Sequence, residues 1–206
     1  MYQENKPQYR ILLLIALAHG LNDLIQGVIP SIYPTLQSKY ALTMTQVGVI
    51  TLCYQLSASI LQPLVGNYTD KHPKPYSQVL GMAFTTTGIV SLSLASSYAA
   101  ILCSVVFIGV GSSVFHPEAS RVAFLASGGR RSFAQAIFQL GGNFGTALAP
   151  LLVILLLLSK KVIDGRVVEE SHQGNLIWFA SFSIFAMFIL LLIGKWRSIL
   201  LKLLKK

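Results

Sequence analysis

Six runs of roughly 20 or more mostly apolar residues, each closed by a short polar or turn segment, constrain what this chain can fold into. They cover about 11–36, 44–66, 76–96, 98–124, 132–158 and 175–194. A helix needs about 20 apolar residues to cross a bilayer, and a chain in lipid must satisfy its backbone hydrogen bonds internally. The expected fold class is therefore an all-α membrane protein with six transmembrane helices. The charge content agrees: 11% of residues are charged and mean hydropathy is +0.63, where a soluble domain carries about 25% charged residues.

The net charge of +9 has a membrane explanation. Basic residues sit in short gaps between apolar runs, not on a polar face studded with aromatics, so nucleic acid is not an expected partner; the lipid bilayer is. One side of the membrane receives Lys6, Arg10, Lys71, Lys74, Arg130, Arg131 and the stretch from Lys195 to Lys206. The other receives Lys39, Lys160, Lys161 and Arg166, the last three offset by Asp164, Glu169 and Glu170. The positive-inside rule puts both termini in the cytoplasm. Residues 1–10 then form a cytoplasmic N-terminus, 11–194 the membrane domain, and 195–206 a basic tail that reads as an amphipathic helix on the inner leaflet. Lys6 and Arg10 before Ile11–Ala18 imitate a signal peptide, but the apolar pattern continues to about Leu36, as a span does. Cys53 and Cys103 lie inside apolar runs and read as small buried hydrophobes.

Ionisable residues inside spans are costly unless paired, hydrated or used. The first span carries His19, Asn22, Asp23 and Gln26 on one helical face. The fourth ends in Phe115-His116-Pro117-Glu118-Ala119-Ser120-Arg121. Glu118 and Arg121 are three apart, which suits either a pair pinning a helix end or a working site. The second span offers Gln55, Ser59 and Gln62, and the fifth Gln135, Gln139 and Asn143. These amides read equally as glue between helices or as cavity lining. Gly141, Gly145 and Ala149 recur every four residues, a pattern for close helix packing. Spans one and four are alike: a glycine near the middle, a histidine followed by an acid, and a proline in the second half. Matching interrupted helices in two three-helix units predict an inverted repeat, with Asp23 and His19 facing the Phe115–Arg121 region across one cavity.

Gly66-Asn67-Tyr68-Thr69-Asp70-Lys71 resembles the loop between the second and third helices of major facilitator transporters. Within that superfamily the chain resembles the bacterial fosmidomycin resistance proteins. The stretches that carry this are Leu61–Gly66, Lys74–Ser77, Gly109–Arg121, Ala126–Arg130 and Gln139–Gly145. The resemblance implies the N-terminal half of a major facilitator fold, in the bacterial inner membrane. It also implies proton-driven export of drugs through a cavity between two six-helix halves, so members have about twelve spans where these residues hold six. It implies a cytoplasmic gate at Gly66, Asp70 and Lys71, with Asp70 paired to a cation or a helix N-terminus.

The expected activity is thus secondary transport of a small amphiphilic or phosphonate-like drug. Asp23 is the leading proton-coupling carboxylate and Glu118 the alternative. His19, Asn22, Gln26, Gln55, Gln62, His116, Arg121, Gln139 and Asn143 are the candidate cavity and substrate contacts. No cofactor and no metal centre is expected, the proton gradient being the energy source. An intramembrane serine protease built on Gly111-Ser112-Ser113 is disfavoured, because the sixth span contains no histidine to act as base. The remaining alternative is a truncated half-transporter without independent transport, or a subunit that needs a homodimer or a second six-helix partner, since polar stripes facing hydrocarbon are unfavourable.

Overall fold

The computed structural model describes residues 6–163 and 166–203, with side chains except those of 160–171 and 203. The side chains of Lys160, Lys161, Arg166, Glu169 and Glu170 are not described, and Asp164 and the end of the basic tail at 204–206 lie outside the described residues. In chain order the elements are α1 (Tyr9–Ser31), α2 (Tyr33–Tyr40), α3 (Met44–Lys71), α4 (Ser77–Leu94), α5 (Tyr98–Leu125) and α6 (Arg131–Leu157). A hairpin of β1 (Leu158–Ile163) and β2 (Arg166–Ser171) follows, then a 3-10 turn (Gln173–Trp178) and α7 (Phe179–Leu203). Among the described residues six helices are long and apolar enough to cross a membrane.

Local chemistry explains where the helices begin and break. Thr43 caps α3 through a reciprocal box with Gln46, and Ser97 caps α5 by accepting from the Ala100 amide. The run read as one span over 11–36 is two helices, because Pro30 and Pro34 each remove a backbone donor around Ile32. The second span runs on past residue 66 to Lys71. The polar connection after α6 is an antiparallel hairpin, registered from Leu158 opposite Ser171 to Ile163 opposite Arg166. The sixth helix does not stop at 194: α7 carries the start of the basic tail as continuous helix to Leu203.

The packing follows the inverted repeat. If α1, α3 and α4 correspond to α5, α6 and α7, the contact of α1 with α6 is the counterpart of α5 with α3. Likewise α4 against α5 matches α7 against α1, and α1–α5 and α4–α7 are self-related. Two apolar cores result, one around Ile29, Val105, Val153 and Phe179, the other around Ile15, Phe115, Ala119 and Ile189. Between them α1 and α5 bring a polar band to mid-height.

Close approach of α1 and α6 depends on glycine. A methyl group at Gly141 would overlap the Ala16 carbonyl oxygen, and one at Gly145 the Gly20 carbonyl oxygen. The four-residue repeat is therefore a packing device. Gly145→Ala is expected to lower stability by about 1–3 kcal/mol through forced helix separation. Gly48→Ala, where an added methyl meets nothing within 4 Å, is expected to raise it by about 0.5–1 kcal/mol through helix propensity. Thermal unfolding in detergent should show opposite signs for the two.

Candidate functional site

Helix α1 presents His19, Asn22, Asp23 and Gln26 on successive turns, and α5 presents Ser112 and His116 one turn apart. The two faces meet at Asp23. One carboxylate oxygen lies 3.1 Å from His19 Nε2 and the other 3.1 Å from His116 Nε2. His19 is buried, while the Asp23 and His116 side chains keep 16% and 24% of their surface exposed, enough to be reached from the open face. Asn22 donates to Asp23 Oδ1 at 3.1 Å.

Each ring is anchored through its other nitrogen. His19 Nδ1 lies 2.8 Å from the Phe138 carbonyl oxygen on α6, and the ring stacks on Phe138. His116 Nδ1 lies 3.0 Å from the Ser112 carbonyl oxygen. A carbonyl oxygen can only accept, so both Nδ1 atoms carry the hydrogen. From His116 the polar chain continues outward: Ser112 Oγ donates to Gln26 Oε1 at 3.1 Å, and Tyr54 of α3 donates to the same oxygen at 2.5 Å. Asn22 Oδ1 and Gln26 Nε2 are buried and have no hydrogen-bond partner among the described residues. The cluster thus has both a spare acceptor and a spare donor beside it, which suits a polar ligand.

A second charged cluster sits at the end of the bundle that carries Lys71 and Arg130. Glu118 is fully buried and accepts from Arg121 at 2.6 Å, from Ser77 of α4 at 2.7 Å, and from Arg197 of α7. Arg121 also pairs with Asp70 and donates to the Thr69 carbonyl at 2.9 Å, covering exposed carbonyls at the end of α3. The Glu118–Arg121 pair is therefore more than a pin on one helix, because it ties four helices together. Gly66 and Asp70 lie in the last turns of α3, with Lys71 as its exposed final residue, instead of in a loop. A methyl at Gly66 would meet Pro117 Cβ at 3.8 Å, an ordinary contact. Gly66→Ala is accordingly expected to keep thermal stability within about 1 kcal/mol of the parent.

The remaining candidates do not join either cluster. Gln55 and Gln62 on α3, and Gln139 and Asn143 on α6, are exposed. Gln135 instead acts as glue, donating to the Ser120 hydroxyl at 3.0 Å.

Arg197 is the residue that sequence reasoning missed. Its place after Lys195 groups it with the basic tail, yet it is 1% exposed. Its register contained the signal: Ala186, Ile189, Leu190 and Ile193 form the buried stripe of α7, and Arg197 lies one turn beyond Ile193 on it.

Comparison with known proteins agrees with this fold. The model of the Major Facilitator Superfamily matches residues 15–203. The chain is 47% identical over 193 residues to the fosmidomycin resistance protein of Escherichia coli (strain K12), covering 94% of this chain and 45% of that protein. It is 43% identical over 190 residues to the uncharacterized MFS-type transporter YfnC of Bacillus subtilis (strain 168), covering 92% and 44%. The chain thus spans under half the length of these curated relatives. A solved bacterial homolog of the human lysosomal transporter Spinster, inward-facing and unoccupied, superposes with a TM-score of 0.69 at 18% identity, over 90% of this chain and 42% of that one. That likeness concerns the fold.

Proposed function

The chain belongs to the major facilitator superfamily, and on that premise we propose that it forms one half of a proton-coupled drug exporter. The observation that carries the proposal is the Asp23 carboxylate held between His19 and His116, on corresponding helices of the two repeats and partly open. A proton carrier must change charge between its two access states. Asp23 faces imidazoles, which exchange protons readily, whereas Glu118 is fixed by two guanidinium groups that do not. Asp23 is therefore the coupling carboxylate of this reading, and Glu118 with Arg121, Arg197 and Asp70 the cytoplasmic fastening. The relative named for fosmidomycin resistance suggests a phosphonate-like drug as substrate. The distribution of Lys and Arg supports cytoplasmic termini in a bacterial plasma membrane, and the family points to transport, not enzyme catalysis.

The exposed amides of α3 and α6 favour a further element of this reading: a second six-helix unit covers them. Gln55, Gln62, Gln139 and Asn143 would otherwise face hydrocarbon. That unit is a second copy, a separate chain or a continuation of this one.

The test is accumulation of a labelled phosphonate drug in cells carrying this chain alone, or with the second half of a relative supplied in trans. Lower accumulation that a protonophore abolishes supports the exporter. If that appears only with the second half, the need for a partner is established. Unchanged accumulation in both arms, with both proteins in the membrane, contradicts the proposed substrate and coupling.

A further inference from the structure

His19 Nδ1 and His116 Nδ1 both carry hydrogen, because each faces a backbone carbonyl at 2.8 and 3.0 Å. In the neutral ring, Nε2 is then a bare lone pair. Both lone pairs point at the Asp23 carboxylate, at 3.1 Å, so acceptors face acceptors. Such a set is stable only around positive charge. Two protons, one on each Nε2, supply it in one way. A single divalent cation supplies it in another, with the same total charge, since +2 replaces two charges of +1.

We propose that His19, Asp23 and His116 form a binding site for a divalent transition-metal ion such as Zn²⁺ or Co²⁺. This goes beyond the exporter reading and does not depend on it. The donor atoms lie within 4.8 Å of one another. Two ligands on a tetrahedral ion with bonds of 2.0–2.1 Å stand roughly 3.3 Å apart, close to the spacing of each histidine–carboxylate pair, His19 to one Asp23 oxygen and His116 to the other. Metal-bound histidines characteristically donate their other ring N–H to a carbonyl or carboxylate, which fixes the tautomer, and both rings here do so. Two imidazoles and one carboxylate suit zinc and its neighbours and disfavour magnesium or calcium. Space is kept by Gly142: a methyl there would lie 2.6 Å from Asp23 Oδ2 and 2.7 Å from His19 Nε2. The repeat brings the two histidines near each other, but they are far apart in the chain and carry no metal-ligand spacing that would announce an ion.

The experiment titrates the purified, tag-free chain in detergent with Co²⁺ alone and follows visible absorption. The expected result is one Co²⁺ per chain with the intense bands of a low-coordinate ion, displaced by equimolar Zn²⁺. His19→Ala, His116→Gln and Asp23→Asn should each weaken binding by more than the roughly 10–100-fold that loss of an outer-shell partner costs. His72→Ala/His172→Ala, which removes the two exposed histidines, should leave it unchanged. A folded parent chain without the bands overturns the proposal, and so do bands that survive His116→Gln and Asp23→Asn. Bands lost with His72 and His172 overturn it too. If His19→Ala does not elute as a monodisperse species, the two near-isosteric variants decide. Drug export plays no part in the readout, so failure here and failure of the transport reading are told apart.

Discussion

Glu118→Gln is expected to destabilise the bundle by about 3–5 kcal/mol, the cost of removing one partner from a buried ion pair. The reason lies in Arg197. Its guanidinium is 1% exposed, and Glu118 is the anion it meets. Without that charge, Arg197 is left buried and uncompensated, with its Nε already lacking a partner among the described residues. Arg121 suffers less, because Asp70 and the Thr69 carbonyl remain to it. The converse change, Arg197→Leu, should therefore cost less than Glu118→Gln, since Glu118 keeps Arg121 and Ser77. Adding Arg197→Leu to Glu118→Gln should recover part of the loss, because removing both charges of a buried pair is often near neutral. Thermal unfolding of the four proteins in one detergent gives the cycle. Additive costs would show that the two side chains do not interact.

The second large effect is on transport. One proton moved down a gradient of about 100 mV supplies about 2.3 kcal/mol, enough for a roughly 40-fold concentration ratio of a neutral substrate. Asp23→Asn keeps the shape of the side chain but replaces one acceptor oxygen with a donor NH2 and removes the negative charge. The proposed exporter should then lose the whole ratio, while its Tm stays near the parent value because Asp23 is partly exposed and an asparagine amide can donate to a neutral imidazole Nε2. Drug accumulation with and without protonophore measures the first, and thermal unfolding the second. A mutant that exports like the parent removes Asp23 from the coupling step.

Much of this architecture was legible because lipid leaves a chain few options. Six apolar runs account for the six described helices long enough to span, the first run adding the short α2, and the third, fourth and fifth spans end within two residues of the sequence boundaries. The likeness of spans one and four places His19 and Asp23 against the Phe115–Arg121 region; the structure brings His116 of that region to Asp23 and puts Glu118 and Arg121 in a separate cluster. Polar residues misled the reading of ends. Apolar patterning ends the second span at residue 66, whereas α3 continues to Lys71, with Arg121 donating to the Thr69 carbonyl in its last turn. The sixth was cut before Arg197 because a basic residue near others resembles a tail. Only the partner on another helix, Glu118, reveals that it turns inward. The pairing of Glu118 across α4, α5 and α7 is a tertiary fact, and no local spacing announces it. For the same reason, one amide stripe could not be told from another. Gln26 is drawn into the polar chain by Tyr54 and Ser112, while Gln55 and Gln62, equally periodic, remain outside.

The most direct test of coupling at Asp23 is proton movement itself. Vesicles containing this chain and a relative's second half, loaded with a pH-sensitive dye, are given a phosphonate drug without any imposed gradient. The account predicts that adding drug drives a proton flux in the parent protein and none in Asp23→Asn. An equal drug-driven flux in both would contradict it.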